Sequence, residues 1–108
     1  MTSTDPGGVA RLQWRGAVPP SPTTVARRLR AEGVEPHAWS NRPGDRYGAH
    51  DHGYEKVLMC AAGSILFRVG PDELPIELRA GDGVILPRRT RHSAEVGPDG
   101  VICLEGSR

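Results

Sequence analysis

Three histidines in this chain are spaced for metal chemistry. His50 and His52 flank Asp51, and His92 lies well downstream. On a β-strand, residues two apart point to the same face, so His50 and His52 can aim both imidazoles at one point while Asp51 faces away. A third imidazole from a neighbouring strand completes a three-nitrogen pocket suited to a transition metal. Three neutral ligands leave coordination positions open for water, oxygen or substrate, which is what metal-assisted catalysis requires. Tyr47 and Tyr54 bracket the pair. Either can donate a proton or hydrogen bond to a bound ligand, or simply pack. The fourth histidine, His37, follows a proline and reads as a surface residue.

The surroundings of the trio carry a resemblance. Gly44, His50, His52 and Gly63 fall in register with G-x5-H-x-H-x3,4-E-x6-G, and Gly81, Pro87 and His92 with G-x5-P-x-G-x2-H-x3-N. These are the two motifs of the cupin family, in order and separated by a short gap, and the resemblance spans residues 34–105. It implies an all-β, cupin-type β-barrel (a double-stranded β-helix, or jelly roll). Such barrels often hold iron, manganese, nickel, copper or zinc through three His and one Glu. It also implies a homodimer, for which Trp39, Met59 and Leu66 are candidate interface residues. Metal ligands by this resemblance are His50, His52 and His92, with the metal's identity open. The alternative is three histidines in a polar barrel mouth without metal.

Three positions depart from the motifs. Lys56 stands in the place of the metal-binding Glu, Arg89 in that of the second-motif Gly, and Val96 in that of the Asn. Glu55 is one residue away, and a one-residue shift on a strand turns a side chain to the opposite face unless a bulge at Gly53-Tyr54 intervenes. An ammonium beside a divalent cation is repelled. Lys56 can therefore bend away to pair with Glu55 or Asp51, lose its proton, or grasp an anionic ligand in a site without metal. It can also point outward from the barrel mouth. Arg88, Arg89 and Arg91 flank His92, either as a solvated turn or as a rim that collects anions. Cys60 shares parity with Lys56 and Leu58 and is a candidate to face the same interior as the histidines.

Two functions follow. The first is a metal-binding cupin acting as an enzyme on a small organic substrate through the three-His site. With iron it would be similar to the three-His thiol dioxygenases of the cupin group, and with zinc it would activate water. Lys56, Tyr54 and Tyr47 are its catalytic candidates. The second is a metal-free module that binds or senses an anionic small molecule, with Lys56, Arg89, Arg91 and Cys60 as ligand-binding candidates.

The elements that must position these residues are short. Residues 1–20 mix Pro, Gly, Ser and Thr with scattered apolar anchors and read as a poorly ordered tail. Ser21-Pro22 opens a helix over 21–33, with Val25, Ala26 and Leu29 as its apolar stripe and Gly33 as its stop. Residues 34–108 form the barrel domain. Its predicted strands are Val34–Ser40, Arg46–His52, Lys56–Ala62, Ser64–Val69, Leu74–Leu78, Gly83–Leu86, His92–Val96 and Val101–Glu105, with a hairpin turn at Pro98-Asp99-Gly100. Many short strands at even spacing suggest a barrel or sandwich independently of the motifs. In Ser64–Val69, Ile65, Phe67 and Val69 form the inward set.

Composition bounds the partners. At 108 residues there is room for one core, and a formal net charge of +1 gives no bulk electrostatic case for nucleic acid. Arg27, Arg28 and Arg30 read as the solvated face of the helix. No apolar run approaches the roughly 20 residues of a membrane span. The first residues carry no secretory pattern, so a cytoplasmic location is expected. Two cysteines, Cys60 and Cys103, are too few for a disulfide framework and read as buried apolar residues.

Overall fold

The computed structural model describes residues 2–4 and 8–108. Eight strands pair in one sheet: β1 (Thr2–Thr4), β2 (Ala10–Leu12), β3 (His37–Asn41), β4 (Arg46–His50), β5 (Lys56–Val69), β6 (Leu74–Arg79), β7 (Gly83–Leu86) and β8 (His92–Ser107). The path is β1-β2-β7-β5-β8-β3, with β4 paired to β8 and β6 to β5, and every pairing is antiparallel. One helix, α1 (Pro22–Ala31), precedes the main strands. Among the described residues no helix is long and apolar enough to cross a membrane.

Two long strands organise the barrel. β5 and β8 pair along most of their lengths, from Lys56↔Ser107 to Val69↔His92. Four predicted strands are thus fused into two, and the Pro98-Asp99-Gly100 hairpin turn does not form. The reason lies where the strands cross. Gly63 pairs with Val101 and Ile65 with Val96, so Gly97–Gly100 lies opposite the single residue Ser64. The chain bulges and bends there without reversing, and the partner strand bends with it. Gly63 permits this: its φ is +73°, and a Cβ there would collide with the carbonyl of Gly100.

The irregularities also switch which residues face inward. Before them, Leu58 and Cys60 point into the barrel while Val57, Met59 and Ala61 point outward. After them, Ile65, Phe67 and Val69 point inward, the expected set. Two apolar layers result. The inner one fills the barrel. The outer one lies between α1 and the sheet, where Val25 and Leu29 meet Val57, Met59, Ala61 and Leu104. Complete burial of Val25 and Leu29 is worth roughly 1.5–3 kcal/mol each.

α1 begins as predicted. The Ser21 hydroxyl accepts from the Thr24 N–H at 3.2 Å, Pro22 follows it, and Gly33 (φ +84°) ends the turn after the helix. The predicted poorly ordered tail is different. Residues 1 and 5–7 lie outside the described residues, but Ala10–Leu12 pairs with β7 through Ala10↔Ile85 and Leu12↔Gly83. Leu12 is buried, and the Trp14 N–H donates to Asp82 at 3.0 Å. Three residues among Gly and Pro carry no strand periodicity of their own, and pairing with β7 on one side and β1 on the other makes them a strand.

Candidate metal centre

His92 opens β8, and the β4–β8 register sets it directly across from His50 at the end of β4. The two rings lie 4.4 Å apart between centroids. His52 lies just beyond β4, in the loop before β5, and not on the predicted strand Arg46–His52. Its ring is nevertheless 4.8 Å from His50 and 5.2 Å from His92. The Arg89 N–H donates to the His52 carbonyl at 2.7 Å, so the loop before β8 holds the loop after β4.

Hydrogen bonds orient the imidazoles. His50 Nδ1 lies 2.7 Å from the Gly48 carbonyl and His92 Nδ1 2.9 Å from the Thr90 carbonyl. A carbonyl only accepts, so each Nδ1 carries the proton and each Nε2 is left with its lone pair. Nε2 of His52 is buried and has no hydrogen-bond partner among the described residues. Such a buried polar atom is costly, and coordinating an ion would satisfy it. One ligand nitrogen from each histidine lies within 4.8 Å of the others. A tetrahedral ion with bonds of about 2.1 Å wants them about 3.4 Å apart, within reach of small ring rotations. The donor set therefore fits a transition metal.

The local field favours neutral rings. Burial is the largest cause holding His52 and His92 below the usual imidazole range, and the charges of Lys56 and His50 push the same way. For His92 the bond to Thr90 opposes this without overcoming it. Neutral imidazole is the form that binds metal.

Lys56 points inward and its side chain is only 13% exposed. Its ammonium lies 3.4 Å from Oε2 of Glu105, whose Oε1 accepts from Trp39 Nε1 at 2.6 Å. The acid that pairs with Lys56 is thus neither Glu55 nor Asp51. Glu55 is turned away and bonds Arg108 at 2.6 Å, and no bulge brings it to the histidines. Glu105 was not singled out from the sequence, yet a signal existed. It shares parity with Val101 and Cys103, both buried in the barrel. An acid on an otherwise apolar inward face needs a buried partner.

These groups line a cavity of about 230 Å³. His50, His92, Lys56 and Glu105 form its polar side; Leu58, Ile65, Phe67 and Ala94 form its apolar wall, with Trp39 and Tyr47 beside them. The Tyr47 hydroxyl is engaged with Asn41, and Tyr54 stacks on His52 with centroids 4.8 Å apart. Other candidates lie elsewhere. Arg89 and Arg91 line a separate depression of about 490 Å³ with Val9, Val69 and Leu74. The arginine rim and the histidine cavity are therefore different surfaces. Cys60 is in the barrel interior but its thiol donates to the Ala62 carbonyl at 3.3 Å, and it does not line the cavity. It sits opposite Cys103 across β5 and β8, and both thiols are free. Trp39 belongs to the cavity wall, and Met59 is buried under α1. His37 is exposed, as expected.

No protein-family model matches the chain. Protein SchB of Streptomyces halstedii is 40% identical over 52 residues, which are 47% of this chain and 36% of SchB. A protein with a double-stranded beta-helix domain from Klebsiella pneumoniae superposes with a TM-score of 0.59 at 23% identity, covering 67% of this chain and 64% of the other. RmlC from Streptococcus suis, solved with dTDP-D-xylose, superposes with a TM-score of 0.66 at 14% identity, covering 100% of this chain and 70% of RmlC. The chain thus spans about a third of SchB and less than two thirds of the Klebsiella protein. At these identities the solved structures establish architecture alone. The chain has the cupin fold, a double-stranded β-helix with one short N-terminal helix.

Proposed function

We propose that this protein binds a divalent transition metal through His50, His52 and His92 and acts there on a small organic substrate. One observation carries the reading. Two imidazoles have their Nδ1 protons committed to backbone carbonyls, the third has a buried, unpartnered Nε2, and one ring nitrogen of each lies within 4.8 Å of the others. A bound ion would supply Lewis acidity, and a redox metal electron transfer as well. The chain's own residues do the rest. Gly48 and Thr90 orient His50 and His92, the Arg89 N–H holds the His52 backbone, and Tyr54 covers one face of the His52 ring. Leu58, Ile65 and Phe67 keep water from one side of the cavity. RmlC's complex with dTDP-D-xylose supports small-molecule binding on this fold.

The test is elemental analysis of gently purified protein beside His50→Ala and His92→Ala. The expected result is about one ion per wild-type chain, lost in both variants. Absence of metal, with no uptake of iron, manganese, nickel, copper or zinc, refutes the proposal.

A second reading, a metal-free binder of anionic small molecules, is favoured by the inward ammonium of Lys56. Stabilisation by organic acids that survives chelation would support it.

A further inference from the structure

The cavity holds one fixed cation, Lys56, and one carboxylate, Glu105, among its described lining residues. Both oxygens of Glu105 are engaged, one by Trp39 and one by Lys56. The converse does not hold. An ammonium has three N–H donors, and Glu105 is the one partner Lys56 has among the described residues. Their separation of 3.4 Å is also longer than the roughly 2.7–2.9 Å of a strong charge-assisted bond. A largely desolvated ammonium with unused donors is a recognition group awaiting an acceptor.

The rest of the cavity limits that acceptor. Leu58, Ile65, Phe67 and Ala94 require an apolar body, and the Phe67 ring centroid is 6.3 Å from that of His92. The apolar wall therefore adjoins the histidines. At about 230 Å³ the space lies below the roughly 300–1,000 Å³ of sites for drug-sized ligands, so the body is small. A divalent ion on three neutral imidazoles would add positive charge that Glu105, already shared, does not offset.

We infer that the cavity selects a small organic anion with an apolar body, its carboxylate held by Lys56 beside the histidines. Lys56 is then the specificity-determining residue, and Glu105 holds it in place while moderating its charge. The inference rests on the proposed use of this cavity, but the Lys56 contact does not itself require the metal.

Isothermal titration calorimetry with phenylpyruvate and its uncharged methyl ester tests it, on the full chain both zinc-loaded and chelated. Wild-type protein should bind the acid at least about tenfold tighter than the ester, the worth of a hydrogen bond to a charged group. Lys56→Met should remain folded and keep its zinc stoichiometry while losing that preference. Glu105→Gln retains an acceptor for Trp39 and removes the competing charge, so it should bind the acid more tightly than wild type. Equal binding of acid and ester by wild type, no binding of the acid at millimolar concentration, or an acid preference that persists in Lys56→Met each overturns the inference. If wild type takes up none of iron, manganese, nickel, copper or zinc yet shows a Lys56-dependent preference for the acid, the metal proposal falls and this one stands.

Discussion

Metal loading should stabilise the protein by an amount that two histidine substitutions abolish in different ways. An ion that binds only the folded chain adds about 2.7 kcal/mol when present at 100 times its Kd. For a chain of 108 residues this raises Tm by roughly 10–20 °C, since each kcal/mol is worth about 4–8 °C. His50 sits at the exposed end of β4, so His50→Ala removes a ligand while disturbing little else. Its chelated form should melt within a few degrees of chelated wild type, and added zinc should raise it little. His92 is 3% exposed, and its ring holds the Thr90 carbonyl. His92→Ala opens a void and strands a backbone acceptor, costing about 2–4 kcal/mol before any metal is considered. It should therefore start lower and also fail to respond. The assay is thermal melting by circular dichroism at pH 7.5, with and without chelator, followed by titration with zinc. A wild-type shift retained in His50→Ala would show that stabilising ions bind elsewhere and would refute the three-His argument. Equal chelated melting points for the two variants would refute the account of His92's packing.

Three further outcomes are expected. Folding holds the His52 and His92 pKa values below 6.5, so the unfolded chain binds protons that the folded chain does not. Chelated protein should thus keep this contribution above about pH 6.5 and lose stability as pH falls below it; melts from pH 8 to 5 check this, and a rise in stability on acidification would contradict it. Gly63→Ala forces a Cβ against the Gly100 carbonyl at φ +73° and should cost roughly 2 kcal/mol or more by urea denaturation, with a loss under 0.5 refuting the required close approach. Leu29→Ala empties a fully buried position in the outer layer and should cost about 2–5 kcal/mol while leaving metal stoichiometry unchanged, because α1 packs on the face of the sheet opposite the barrel interior. Altered stoichiometry in the folded variant would show that the layers are coupled.

Local rules made much of the molecule legible. Ser21, Pro22 and Gly33 bound α1 because capping and left-handed termination act over one helical turn. Alternation along Ile65, Phe67 and Val69 revealed their inward face because strand periodicity is set by the backbone itself. The same alternation reached the site through the spacing of His50 and His52, and the two rings do converge even though regular pairing stops at His50.

The remainder needed partners distant in sequence. Gly63 and the run Gly97–Gly100 looked like two chain breaks, and only their meeting on neighbouring strands makes both a shared bend. Local chemistry along the chain was enough for the residue types that can bind metal, the helix with its caps, and the faces of the regular strands. Tertiary structure decided that His50 faces His92, that Glu105 meets Lys56, and that Arg89 and Arg91 border another surface. Side-chain direction follows from a residue's own backbone, whereas a cross-strand neighbour follows from register. That register is settled only when bulges, edge strands and the two apolar layers close together.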